Sequence, residues 1–528
     1  MTAGAAVKVP GAGTSVEGSG MRSVSNPEFE FKLELTPQQM ARLASHPALA
    51  NLATGQPTVS TVRSIYFDTP DHRLRAQGIS LRLRSIGDKW LQAVQSSNGR
   101  GSGTGDSNAE IDHPEPSIGQ IKDGKLRRMI RKAVSTSTLE PQFETIVTRT
   151  IHKLHSEKGH LELALEDGVV RAGNAEGKLC EAELGLKEGP PDCLLETASA
   201  LFAQEAVKPS QTSEVERGYD LLLGRRDKTV TPLKAQIPVL RGDETCAQAL
   251  FLFTDAAAEQ IVRNRRALLE TDDPESAHQL RIGLRRLRSA IRAFRALGDS
   301  PAACEMELLA RTLGRSVGPL RNADVFIDGV LAPVAGTKKG EPGFAKLRSA
   351  LEAHRAAMRE QVRVVLNGEQ WTKLQIHLAL WPRTIWTDRS LQVPVRAFAT
   401  KTLTKTWKKV AKRAVEIDDL TIEGRHDMRK VLKGFRYTCE FFGSLYPPRK
   451  VGPFIKDLKR LQDVFGYLND VATAGELNGI CHERCRKSLA AQRAVGFVLG
   501  WHEARASAAW DHVLEAWDRL ESRKHFWK

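Results

Sequence analysis

The chain has 528 residues, 41% hydrophobic and 27% charged. That is enough apolar material for more than one large core and too much for wholesale disorder. Lys and Arg number 78 against 63 Asp and Glu, a net charge of +15. Residues 241–528 hold 49 basic and 34 acidic side chains, so all fifteen excess charges lie there, and the first 240 residues carry 29 of each. The second half is therefore expected to meet an anionic partner, and the first half to do something else.

Residues 1–25 read as a loose Gly/Ala/Ser/Thr-rich tail and not as a signal peptide. From Asn26 to about Asp220 the pattern is strand-like. Glu28–Glu34, Leu81–Arg84, Trp90–Gln95, Leu161–Glu166 and Leu179–Lys187 alternate polar and apolar residues, and Gln142–Arg149 is extended. Period two over this many segments predicts an antiparallel sheet, closed or strongly curved, with short helices at Pro37–Ser45 and Cys193–Gln204. Its polar face carries Glu, Lys and Arg on nearly every strand. It reads either as a solvated surface or as a charged lumen in which cations hold phosphates and paired carboxylates hold Mg²⁺ or Mn²⁺. The Gly-rich run Asn98–Asp106 is expected to be a loop. The division into domains is 26–223, a linker at 224–244 with Pro232 and Pro238, and 245–528.

Beyond Thr245 long helical periodicities follow: Ala247–Glu270, Pro274–Leu297, Glu305–Val317, Phe344–Leu366, Val395–Glu416, Gly424–Phe442, Pro453–Leu468 and Ala491–Arg523. Two of these helices repeat one array. His278, Arg281, Arg285 and Arg288 have the spacing of His426, Arg429, Lys433 and Arg436. On a helix each set falls within roughly 80° of one face. Related segments follow each array, with Gly318, Arg321, Asn322 and Asp324 after the first and Gly466, Asn469 and Asp470 after the second. The half thus reads as an all-α bundle with an internal two-fold repeat whose basic faces line a groove. Lys401, Lys405, Lys408 and Lys412 form another stripe, as do Arg355, Arg359 and Arg363. These arrays hold no apparent nucleophile, so they read as binding surfaces for a flexible polyanion. Aromatic residues are 6% of the chain and do not interleave them, which argues against nucleic acid.

The seven cysteines suggest no disulfide framework, and Cys481 and Cys485 have no second pair nearby to complete a zinc site. No stretch approaches the roughly 18 apolar residues of a membrane span. The chain reads as cytoplasmic.

The ordered set Glu28-x-Glu30-x-Lys32, Tyr66-Phe67-Asp68-Thr69, Arg82-x-Arg84, Arg149, Glu162, Glu181-x-Glu183, Lys187 and Glu216-Arg217-Gly218-Tyr219 resembles the CYTH, or triphosphate tunnel metalloenzyme, family. The two His/Arg arrays, the second ending Arg436-Tyr437, resemble the CHAD family. The resemblance implies an eight-stranded antiparallel barrel tunnel followed by the helical domain. It implies that Glu28 and Glu30 hold one divalent metal and that Glu181 and Glu183 hold a second. Lys32, Arg82, Arg84, Arg149 and Lys187 would grip a triphosphate. It also implies inorganic polyphosphate as the partner of His278, Arg281, Arg285, Arg288, His426, Arg429, Lys433, Arg436, Lys401 and Lys405, with association to polyphosphate granules. The sequence departs from the family pattern at Gln95 and Glu214, where lysines are usual, at Asn108-Ala109-Glu110-Ile111-Asp112, which lacks an Arg, and at Gly185 and Glu166. Catalysis by the tunnel and an inert tunnel on a polyphosphate-binding scaffold both remain open at this level.

Overall fold

A computed structural model describes residues 29–86, 89–96, 107–204, 207–210, 213–224, 230–298, 300–338 and 341–528. Glu28 and the run at 98–106 lie outside them. The chain divides into two compact units, Met1–Lys228 and Thr229–Lys528.

The first unit is built on strands β1 (Phe29–Glu34), β2 (Thr58–Asp68), β3 (Ile79–Ile86), β4 (Lys89–Ser96), β5 (Ser107–Ile111), β6 (Glu140–Ser156), β7 (Gly159–Ala172) and β8 (Ala175–Glu188), plus the two-residue β9 (Lys208–Pro209). Their order is β5-β4-β3-β2-β6-β7-β8-β1-β9, antiparallel throughout. The β7–β8 hairpin closes between Ala172 and Ala175, with Gly173 at a φ of +55° that a two-residue turn favours. Short helices cover the strands: α1 (Pro37–Ala44), α2 (Pro47–Leu52), α3 (Arg73–Ala76), α4 (Gly124–Ala133), α5 (Pro191–Phe202) and α6 (Glu214–Leu222). α1 begins with a capping box between Thr36 and Gln39, and α6 with one between Ser213 and Glu216.

Side-chain alternation sorts the sheet into two faces. Leu81, Leu83 and Val94 pack outward on Leu126 and Ile130 of α4. The inward set on β6, β7 and β8 is charged at one end (Arg149, Glu166, Glu181) and apolar at the other (Phe143, Val147, Val170, Leu179). The apolar end is covered by α6 through Val215, Tyr219, Leu221 and Leu222. Four steps of the strand order separate β1 from β2, roughly 19 Å in a flat sheet. Yet Lys32 of β1 and Tyr66 of β2 both reach the carboxylate of Glu214, at 3.5 and 2.8 Å. The sheet therefore curls around a lumen that α6 plugs.

The second unit is helical: α7 (Cys246–Glu270), α8 (Pro274–Phe294), α9 (Pro301–Ser316), α10 (Gly318–Val325), a π-helical turn at Phe326–Leu331, α11 (Ala332–Ala335), α12 (Pro342–Leu366), α13 (Glu369–Thr384), α14 (Val395–Ala414), α15 (Ile422–Phe442), α16 (Pro448–Thr473), α17 (Glu476–Cys485) and α18 (Leu489–Glu521). Among the described residues, no helix is long and apolar enough to cross a membrane. The periodicity at Glu305–Val317 falls in α9, and that at Pro453–Leu468 is the middle of the longer α16. Sequence periodicity missed α10, α11, α13 and α17, which are short or have little amphipathic contrast. Residues Leu233 to Glu244, within the stretch read as linker, are hydrogen-bonded to this unit. Leu233 exchanges two bonds with Asn264, and Leu240 N donates to Ser444 Oγ.

The internal repeat is a duplication at a fixed offset. α8 and α15 start and end 148 residues apart, and the same shift carries His278 to His426, Arg281 to Arg429, Gly318 to Gly466 and Asn322 to Asp470. Equivalent residues also meet each other. Phe294 packs on Phe442 with ring centroids 5.9 Å apart, and the Arg281 guanidinium feels that of Arg429. Such self-pairing occurs only near a two-fold axis, so the two arrays face each other across it.

Candidate functional site

Two charged centres stand out, one in each unit, and their electrostatics are opposite. In the tunnel, alternation on β1 points Glu30, Lys32 and Glu34 inward. Lys32 Nζ lies 2.7 Å from Glu181, 3.5 Å from Glu166, 3.5 Å from Glu214 and 3.8 Å from Glu183. Burial opposes its charge, but Glu166, Glu214 and Glu181 outweigh that and hold the ammonium above its usual range. Burial raises the Glu166 carboxyl against the pull of Lys32. Arg149 donates to Glu166 at 2.8 Å and stands 3.8 Å from Glu183. Arg217 of α6 reaches Glu34 at 2.8 Å, Glu181 at 2.5 Å and Ser210 at 3.1 Å.

Arg82 and Arg84 point inward from β3, and Arg84 Nε is shut from solvent without a hydrogen-bond partner. Lys187 lies 3.8 Å from Glu162 in a more exposed part of the lumen. Glu30 is beside Gly185, its cross-strand partner, at a place where an added Cβ would also meet Lys187. The structure thus gathers Lys32, Glu181, Glu183 and Arg149, while Glu30, Glu162 and Lys187 form the next row along the lumen. Sequence reasoning missed Glu166, Glu214, Tyr66 and Arg217 as members of the centre. Glu166 and Glu214 had signalled themselves only as departures from a pattern.

Other motif residues turn out to hold the frame. Asp68 is fully buried. Its carboxylate accepts from the backbone N–H groups of Thr69, Leu74 and Arg75 and from Tyr219 Oη, at 2.7–3.0 Å. Gly218 leaves room for the Phe143 ring, whose carbons would stand 2.1–2.4 Å from an added Cβ.

Glu166, Glu181 and Glu214 each offer an oxygen within 4.8 Å of the others. Two buried carboxylates and one half-buried one at that spread match the oxygen shell of a hard divalent cation, about 2.1–2.5 Å from each ligand. The donor chemistry fits Mg²⁺ or Mn²⁺; in this structure the ammonium of Lys32 is the cation those oxygens hold.

The helical centre is a cavity of about 270 Å³. It is lined by His278, Arg281, Arg285 and Arg321 of the first repeat and by Arg429, Lys433 and Asp470 of the second, with Asn322, Asn469 and Thr473 between them. Six permanent or potential cations therefore line the cavity with one carboxylate. Burial and the neighbouring Arg285, Arg321 and Arg429 push Arg281 down to about 10. Burial with Arg285 and Arg429 pushes Lys433 down to about 7. Burial and Arg321 bring His278 down to about 4. The Nε atoms of Arg285 and Arg429 are buried without a hydrogen-bond partner.

His426 stands beside this cavity, its Nδ1 2.9 Å from Asn469 Oδ1. Arg288 is farther along α8 near Arg292, Arg311 and Arg315, and Arg436 pairs with Glu440 at 3.4 Å. Lys401 and Lys405 are exposed on α14 and do not line the cavity. Of the Arg355 stripe, Arg359 and Arg363 are tied to Asp272 at 3.2 and 3.1 Å. Arg321, Asn469, Asp470 and Thr473 were not among the expected site residues, although the repeated segments after each array contain the first three.

A CYTH domain model matches residues 26–219, and a CHAD domain model matches residues 253–479. The chain is a CYTH–CHAD fusion. Over 207 residues it is 28% identical to a Haemophilus influenzae protein described as an inorganic triphosphatase, covering 39% of this chain and 57% of that one. It therefore spans little more than half the length of that curated relative. The crystal structure of the CHAD domain from the plant Ricinus communis is 27% identical, with 56% of this chain and 98% of that chain covered and a TM-score of 0.49. A Hippeastrum protein described as a putative adenylyl cyclase with a dominant triphosphatase activity is 17% identical, with 38% and 97% covered and a TM-score of 0.27.

Proposed function

We propose that the CHAD cavity binds inorganic polyphosphate and that the CYTH tunnel binds triphosphate and hydrolyses it with Mg²⁺ or Mn²⁺. The observation that carries the reading is the cavity that Arg281, Arg285, Arg321, Arg429 and Lys433 line with one carboxylate, Asp470. Burial first, and then the neighbouring guanidinium groups, depress the proton affinities of Arg281 and Lys433, and a chain of phosphates neutralises crowded cations of this kind through forked and point-charge contacts. Phe326, the one Phe, Tyr or Trp in the lining, is buried, so no large exposed ring stands ready to stack on bases there.

In the tunnel, Lys32, Arg82, Arg84, Arg149 and Lys187 are the proposed phosphate ligands. Glu28, Glu30, Glu181 and Glu183 are the proposed metal ligands, with Glu166 beside them. A bound divalent metal supplies charge neutralisation and an acidified water. Arg149, fixed by Glu166 at 2.8 Å, supplies a positioned cation for charge developing on the transferred phosphoryl group. The 28% identity to a described inorganic triphosphatase supports this part. Action in the cytoplasm, at polyphosphate granules, belongs to the same reading.

A second reading, a polyphosphate scaffold with an inert tunnel, is favoured by one observation: Lys32 is already surrounded by carboxylates. Phosphate release from tripolyphosphate with several metals separates the two. Release by the wild type should exceed that of a Glu28→Gln, Glu30→Gln variant, and equal rates would leave the scaffold. Replacing Arg281, Arg285, Arg429 and Lys433 by alanine should abolish long-chain polyphosphate binding, and unchanged binding would remove the cavity model.

A further inference from the structure

The tunnel carries its own anion. Glu214 is the first residue of α6, in a helical first turn whose dipole favours a carboxylate. The apolar face of α6 plugs the lumen and so delivers this side chain to the centre. Tyr66 Oη donates to it at 2.8 Å, and Lys32 Nζ is 3.5 Å away. Burial alone would push Glu214 up, but Lys32, Tyr66, Arg82 and Arg84 outweigh burial and hold it below the usual carboxylate range. Lys32, Arg82 and Arg84 are three of the proposed phosphate ligands. The same cations cannot give their full attraction to a carboxylate and to a phosphoryl group at once.

The charge count points the same way. Lys32, Arg82, Arg84, Arg149 and Arg217 are offset by Glu34, Glu166, Glu181, Glu183 and Glu214, which leaves the centre neutral. Of these carboxylates, Glu34, Glu166, Glu181 and Glu183 stand on sheet strands, and Glu214 alone is contributed by the plugging helix.

We propose that Glu214 is a built-in substitute for one phosphoryl group at the plugged end of the tunnel and that it sets affinity and chain-length preference there. This rests on the reading of the tunnel as a phosphate site. A triphosphate that fills the lumen has to displace Glu214 from Lys32. A diphosphate has room to bind the remaining cations and leave the carboxylate in place. Glu214 therefore penalises the longer ligand more than the shorter one.

The test is calorimetric titration of the full chain with tripolyphosphate and with pyrophosphate, in chelator so that no divalent metal intervenes. The same titrations on a chain with Arg281, Arg285, Arg429 and Lys433 replaced by alanine subtract heat from the CHAD cavity. Glu214→Gln keeps the shape and removes the charge. It is expected to bind tripolyphosphate at least tenfold tighter than wild type, with a smaller gain for pyrophosphate. Wild-type binding with an equal or weaker Glu214→Gln, at unchanged melting temperature, would overturn the proposal and leave the phosphate tunnel standing. Folded proteins of which neither binds either ligand, in chelator and again with Mg²⁺ or Mn²⁺ supplied, would overturn both. Should Glu214→Gln fail to fold, Glu214→Asp, which withdraws the carboxylate by one methylene, is judged on the direction of the same change.

Discussion

Binding of polyphosphate to the CHAD cavity should take up a proton at Lys433. Buried between Arg285 and Arg429, this lysine is pushed down to about 7 in the free protein, with Asp470 only partly opposing. A phosphate beside it favours the ammonium and restores it toward its ordinary value. The sign follows: the charged form binds, so affinity is fully present below pH 7 and is lost as pH rises through 7. With a free value of about 7 and the bound lysine restored toward the ordinary lysine range, the protonated fraction of the free protein at pH 8.5 is about one in thirty. Affinity should then fall roughly thirtyfold between pH 6 and pH 8.5, about 2 kcal/mol. His278, held down to about 4, is neutral across this window. Long chains are the ligand of choice because their few end groups contribute little titration of their own. The assay is equilibrium binding at constant ionic strength, since phosphate contacts are salt-dependent. Lys433→Arg keeps its charge at every pH in the window and should flatten the profile. A wild-type profile that is already flat, or one with the same slope in Lys433→Arg, would refute the argument.

Three further outcomes follow from the tunnel. Lys32→Met leaves Glu166, Glu181 and Glu214 without their shared ammonium. Breaking a buried pair costs roughly 3–5 kcal/mol, and the lower end applies here because the Lys32 side chain is 30% exposed. Thermal melting should show the loss at pH 7 and a smaller one as the carboxylates protonate in acid. Gly218→Ala gains up to about 1 kcal/mol of helix propensity, but its Cβ would strike Phe143, itself stacked on Tyr66 at 4.5 Å. An overpacking cost of about 1–3 kcal/mol should dominate, so a raised melting temperature would contradict the steric account. Asp68→Asn turns an amide toward donors that need an acceptor, and denaturant unfolding should report a loss of about 2 kcal/mol or more.

The two centres differed in how much of them was legible before the structure. A helical array is local: His278, Arg281 and Arg285 share a face because 3.6 residues make a turn, and the duplication doubled the signal. What periodicity cannot give is the partner across the two-fold axis. Arg321 and Asp470 enter the cavity from α10 and α16, and each lies on a helix whose own pattern looks ordinary. In the tunnel, alternation placed Lys32, Arg149, Glu181 and Glu183 on the inner face, because a strand offers only two faces. It could not say which of the many charges on that face are neighbours. That depends on register across eight strand pairs and on how far the sheet curls.

Glu214 shows where reasoning by pattern stops and physics continues. As a letter in place of a lysine it reads as a lost phosphate contact. In the folded chain it is the residue most fully surrounded by the tunnel's cations and its tyrosine. A reversal of charge at one position therefore changes more than one contact, because Lys32, Arg82 and Arg84 now have an internal claimant. The CHAD cavity has the converse arrangement, since Asp470 is too little to satisfy five cations. One unit has settled its charge internally and the other has not. The unsettled one is where a polyanion gains most on binding.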